Sequence, residues 1–136
     1  MTKEEIKEIL RLHNLWLNQI GCELMEGEEV GKKADFSGAN LSGFDFAGYD
    51  LRYANLSNAN FSYSDLSKTC FHMVDLSGAN LSKTCLYMAD LSYANLVRSN
   101  LYKANLNKTN LIGANLQGAV LVGAKLDNAG LIDTKF

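Results

Sequence analysis

Six aspartates, Asp35, Asp45, Asp50, Asp65, Asp75 and Asp90, are spaced by multiples of five residues. Carboxylates brought into pairs are the material of general acid and base catalysis. The same position is filled elsewhere by Asn, as at Asn40, Asn55, Asn60 and Asn80. A site that takes Asp or Asn equally needs an acceptor in a turn or ladder rather than a transferable proton, so no catalytic residue is expected. His13 and His72 have no second histidine nearby and no HExxH spacing, so no metal site is expected either. Cys22, Cys70 and Cys85 form no CxxC pair and are too few for a disulfide framework. Cys70 and Cys85 stand in two similar stretches, Lys68-Thr69-Cys70-Phe71 and Lys83-Thr84-Cys85-Leu86. That recurrence reads as an internal duplication rather than a redox pair. No cofactor is expected.

What positions these residues is a five-residue beat. Every fifth position from 36 to 136, 21 in all, is Leu or Phe, with Phe at 36, 46, 61, 71 and 136. Two residues before each usually stands a small one, as at Ala34, Ala39, Ala54, Ala59 and Ala79, or Ser or Thr as at Ser64, Thr69, Thr84 and Ser99. These two positions of each unit point inward and the other three outward. A period of five fits neither the 3.6 of an α-helix nor the 3.5 of a coiled coil. In a long strand an odd period would send successive leucines to opposite faces. The chain must therefore turn once per unit, which the frequent Gly, Asn, Asp and Ser permit. Short extended pieces joined by regular corners make a solenoid whose coils hydrogen-bond to one another. The chain has no proline, and proline would remove a ladder donor.

Units such as Ala54-Asn55-Leu56-Ser57-Asn58 and Ala79-Asn80-Leu81-Ser82-Lys83 resemble the pentapeptide repeat family. The resemblance covers residues 34 to 136 and implies an all-β solenoid, a right-handed quadrilateral β-helix with four units per coil and about five coils. Period five by itself gives a turn per unit and not the number of sides.

Residues 1 to 20 follow another rule. Ile6, Ile9, Leu10, His13, Trp16, Leu17 and Ile20 recur at three and four, which predicts an amphipathic helix. Thr2 and Glu5 form a capping box at its start, and Gly21 is a natural stop. This N-terminal α-helix is expected to cap the exposed first coil. Residues 21 to 33 read as a polar connector, followed by the repeat domain, 34 to 136.

The chain has 136 residues, 47% of them apolar and 21% charged, room for one core and no more. No run approaches the length of a membrane helix. Met1 to Glu8 alternates Lys and Glu without a signal-peptide core, so a cytoplasmic product is expected. Function is expected on the outward positions, as a non-enzymatic binding or scaffold module with a protein partner. An offset of 20 stacks Tyr53, Met73 and Tyr93, with Ile112 and Ile132 in the neighbouring column beside Arg52, His72 and Ser92. That stripe is the candidate partner surface. At the other end, Val122 and Phe136 are candidates for tail-to-tail self-association into a homodimer.

The resemblance also raises an alternative. Some relatives act on DNA gyrase as mimics of duplex DNA, through rod shape and negative charge. Here residues 34 to 136 carry eight acids and eight bases, with −3 on residues 34 to 91 and +3 on 92 to 136. A competitor for a basic DNA groove gains from uniform acidity, so the gyrase reading ranks second and nucleic acid is not an expected partner.

Overall fold

One left-handed residue per unit turns the five-residue beat into a square. In the computed structural model, which describes residues 1–136, every unit from Phe36 to Leu131 has positive φ two residues after its Leu or Phe. Seven of these corners are glycine, and the other thirteen include Tyr53 (φ 65°), Lys83 (φ 56°) and Met88 (φ 58°). Each corner is closed by the residue that follows it, as where Ala54 N–H donates to the Leu51 carbonyl (3.1 Å). A non-glycine residue in this region costs about 1–2 kcal/mol, so the corners are held by the ladder between coils and not by local preference.

That ladder is parallel and has an offset of 20 throughout, from Asp35 paired with Asn55 to Asn115 paired with Lys135. Twenty residues are four units, so the rod has four sides. Each pairing is a single bridge rather than a continuous strand. The link is tight, as in Leu81 N–H to the Asn100 carbonyl (2.7 Å) and Asn80 N–H to the Ala59 carbonyl (2.9 Å). The inward Leu and Phe from 36 to 116 are buried in one continuous core with most of the small residues between them, and Ala39 and Phe44 pack against it half-buried. Several of the polar small residues place their hydroxyl on a carbonyl one coil back, as Thr69 does at Phe46 and Thr109 at Leu86, whereas Thr84 turns to the Leu81 carbonyl of its own corner and the buried Ser99 hydroxyl has no partner.

Helix α1, Lys3–Gln19, starts at a capping box in which Glu5 N–H donates to the Thr2 hydroxyl and Thr2 N–H to the Glu5 carboxylate. Gly21, just past its end, has φ 79°. Ile6 joins the core of the rod, and Ile9 and Leu10 pack against it. The segment after the helix is fastened to it rather than slack. Lys32 N–H donates to the Leu12 carbonyl (3.0 Å), Gly31 N–H to the Gln19 side chain (2.7 Å), and Arg11 pairs with Glu8 and Glu29. Gly31 lies so close that a β-carbon there would collide with the backbone of Leu15 and Trp16.

Candidate functional site

The aspartates act as turn acceptors. Asp35 Oδ1 accepts from Ser37 N–H (3.0 Å), which holds its carboxyl below the usual range, and also from the Asn55 amide one coil on (3.1 Å). The same pattern recurs at Asp75 with Ser77 and Asn95, and at Asp90 with Ser92 and Asn110. Asp50 differs because burial would raise it, yet Arg52 binds it (2.8 Å) and the result is a lowered pKa. No three of the His, Cys, Asp and Glu side chains are grouped so as to hold a metal ion. Cys22, Cys70 and Cys85 are free thiols, and burial pushes Cys70 up, away from the reactive thiolate. An open groove of about 530 Å³ between α1 and the first coil is lined by Lys7, Arg11, Asn14, Tyr49 and Asp50. It contains no nucleophile with a base beside it.

The outward stripe has more organisation than its columns suggest. Tyr53 meets His72 edge to face (6.0 Å between ring centroids), and His72 meets Tyr93 in the same way (5.7 Å). The two columns are thus stitched into one aromatic run that zigzags up the coils. His72 shares a hydrogen bond with the Ser92 hydroxyl (2.8 Å), which fixes its ring. The Tyr93 ring then lies over Gly113, where a β-carbon would come within 2.6 Å of it. Gly113 also has φ 67°, so both space and backbone favour glycine there.

At the lower end the run continues onto the helix. Trp16 packs edge-on against Tyr53 (6.3 Å) and stacks on His13 (5.7 Å, 18° between planes). The surface therefore includes Trp16 and His72 beside the Tyr53, Tyr93, Ile112 and Ile132 expected from spacing. His72 was visible as a member of the neighbouring column. Trp16 was visible only as part of an apolar helix face, with no signal for which side of the rod it would meet. Met73 is exposed in the same corner column, one coil above Tyr53 and one below Tyr93, and Ile132 is 67% exposed at the top of the face.

Charge is sorted around the rod as well as along it. The side built on Leu51, Phe71, Leu91, Leu111 and Leu131 bears Asp50, Asp90 and Asp133 against Arg52. The opposite side, on Leu41, Phe61, Leu81, Leu101 and Leu121, bears Lys83 and Lys103 and no carboxylate. Lys83 donates to the Tyr63 hydroxyl (3.0 Å), which raises its pKa, and Lys103 lies over the Tyr102 ring. The aromatic run thus occupies the acidic side. Val122 and Phe136, 66% and 63% exposed, lie on the last coil with Leu131, away from that run's aromatic part.

The family model described as Pentapeptide repeats matches in eight copies over residues 32–67, 45–78, 60–95 and 94–131. A pentapeptide repeat protein of the Arabidopsis thaliana thylakoid lumen is 36% identical over 67% of this chain, with a TM-score of 0.66. A pentapeptide repeat protein from the cyanobacterium Nostoc, described as involved in heterocyst differentiation regulation, is 35% identical over 74% of this chain, with a TM-score of 0.59. A third, from the cyanobacterium Cyanothece, is 31% identical over 75% of this chain and 90% of its own, with a TM-score of 0.50. The chain spans 63% of the first structure and 52% of the second. No curated protein matches it.

Proposed function

Because the chain belongs to the pentapeptide repeat family and has that family's right-handed quadrilateral β-helix, we propose that it is a non-enzymatic module that binds a protein partner. The binding face runs from Trp16 through Tyr53, His72 and Tyr93 to Ile112 and Ile132. The observation that carries this is the continuous edge-to-face run, which ties α1 to the rod and leaves Tyr93 59% exposed. Aromatic side chains that are rigid at the base and open at the rim are the usual anchors of protein interfaces. The neighbouring Asp50 and Asp90 favour a partner that presents aliphatic and basic residues.

Within this reading the rod has just over five coils, about 25 Å at the ~4.8 Å spacing of paired chains, and α1 serves as its cap. The far end supplies a second contact, a tail-to-tail homodimer through Val122 and Phe136 related by two-fold symmetry. The setting is cytoplasmic.

The test is capture of a partner by the intact chain and its loss with Tyr93→Glu combined with Ile132→Glu. Equal capture by both forms overturns the proposed face. Supercoiling by DNA gyrase is expected to be unaffected at micromolar protein, and strong inhibition would replace this reading by DNA mimicry. Light scattering after size exclusion is expected to show a dimer that Phe136→Glu dissociates; a strict monomer at high concentration removes the tail-to-tail contact.

A further inference from the structure

We propose that His13 is a proton-sensitive latch, holding α1 on the first coil while its ring is neutral and releasing it when the ring is protonated. His13 is fully buried, and its Nδ1 accepts a hydrogen bond from Ala34 N–H (3.0 Å), the first small residue of the repeat. This bond joins the helix to the rod across 21 residues of sequence. A ring nitrogen that accepts carries no hydrogen, so the neutral ring keeps its proton on Nε2. Protonating Nδ1 sets one N–H against another. The docked state then loses its hydrogen bond, strands the Ala34 amide and gains a charge in a dry contact, all of which oppose docking.

The groups facing the ring are Asp50 and Arg52 from the first coil, Lys33 from the segment after the helix, and Trp16 from α1 itself. Asp50 and the Arg52 carbonyl favour the charged ring, while the Arg52 and Lys33 side chains oppose it. Asp50 is already held by Arg52, which weakens its pull on the histidine. Burial is the largest influence and lowers the His13 pKa from its ordinary 6.5. With the helix released, the ring returns to about 6.5. The docked form binds fewer protons, so docking is at full strength above that value and weakens as pH falls toward the docked pKa. Release uncovers the first coil around Phe44 and Phe46, where Ile6 and Leu10 now lie.

Trp16 is the only tryptophan and stacks on the latch, so it reports the event directly. Its emission in the full chain is followed from pH 8 to 4.5, together with hydrogen exchange of the mid-rod amides. The comparison variant is His13→Asn, which keeps an acceptor near the Nδ1 position and takes up no proton. The expected result is a reversible red shift in the wild type with a midpoint below pH 6.5, mid-rod amides still protected, and no shift in His13→Asn. The same shift in both proteins, no shift in the wild type, or a shift that coincides with loss of protection along the whole rod overturns the latch. Should His13→Asn fail to dock, with Trp16 red-shifted already at pH 8, nitrogen NMR of the wild-type histidines decides. An Nε2–H tautomer at pH 8, with Nδ1 uptake tracking the red shift, sustains the latch. An Nδ1–H tautomer, or uptake without the shift, refutes it.

Discussion

At the start of the rod Phe36, Leu41, Phe46 and Leu51 are buried, with α1 set against their coil, while at the far end Leu131 and Phe136 occupy the same repeat position and are 40% and 63% exposed. The five-residue unit is the same in both places. What differs is a neighbour: a coil has two open sides, and the repeat supplies a partner for only one of them at either end. Inward direction is a property of the unit, whereas burial is a property of the stack. The same argument explains why the polar clasp of Gly31, Gln19, Arg11 and Glu29 exists only at the helical end, where something had to be fastened down.

The sharpest way to break this comparison is to place one charge at both kinds of site. Leu81→Asp buries an unpaired carboxylate in the middle of the stack and is expected to cost about 4 kcal/mol or more. Leu131→Asp, at the same repeat position on the open coil, is expected to cost ~1 kcal/mol or less. Urea titration of the two variants measures the gap, and equal losses would show that the unit alone decides burial.

Next in size is Gly31→Ala. Its methyl group meets helix backbone that has no side-chain freedom to give way, so α1 docking is expected to weaken by about 1–3 kcal/mol. The readout is a red shift of Trp16 with the mid-rod amides still protected. A variant with native Trp16 emission would mean the clasp tolerates displacement. Gly113→Ala combines left-handed backbone with a methyl beneath the Tyr93 ring, and an expected cost of ~1–2 kcal/mol. Near-ultraviolet circular dichroism should register the displaced tyrosine. Smallest of all, Ser82→Asp points outward one residue from Leu81 and is expected to stay within about 0.5 kcal/mol of the wild type. A large loss there would place the inward register one residue off.

Much of this was legible in the order of residues because the repeat is local. The inward role of Leu81 follows from counting by five, and the start of α1 follows from Thr2 and Glu5. The neighbour relation of Tyr53, Met73 and Tyr93 follows once four sides are granted. Two things were not legible. Lys, Tyr, Met and Arg at the left-handed corners carry no turn signature of their own, since the ladder from adjacent coils imposes the conformation at Lys83 or Met88. The contact of His13 with Ala34 and that of Trp16 with Tyr53 depend on the angle at which the helix returns to the rod. That angle is set by Gly31 and the Lys32–Leu12 bond rather than by any periodicity.

The 20-residue pairing makes the molecule a kind of combination lock with respect to insertions. Adding or deleting one unit of five leaves every later Leu facing the axis, so the change is cheap to the core, yet it rotates the entire downstream exterior by a quarter turn. Loss of residues 79 to 83, for example, would carry Tyr93 off the side that holds Tyr53 and His72, while the buried column closed up behind it. The repeated Lys-Thr-Cys stretches, 15 residues apart, sit three quarters of a revolution from each other for the same reason. Only copying in whole revolutions lengthens such a rod and keeps its surfaces in line, so descent by single-unit slippage rewrites what the molecule displays without unfolding it.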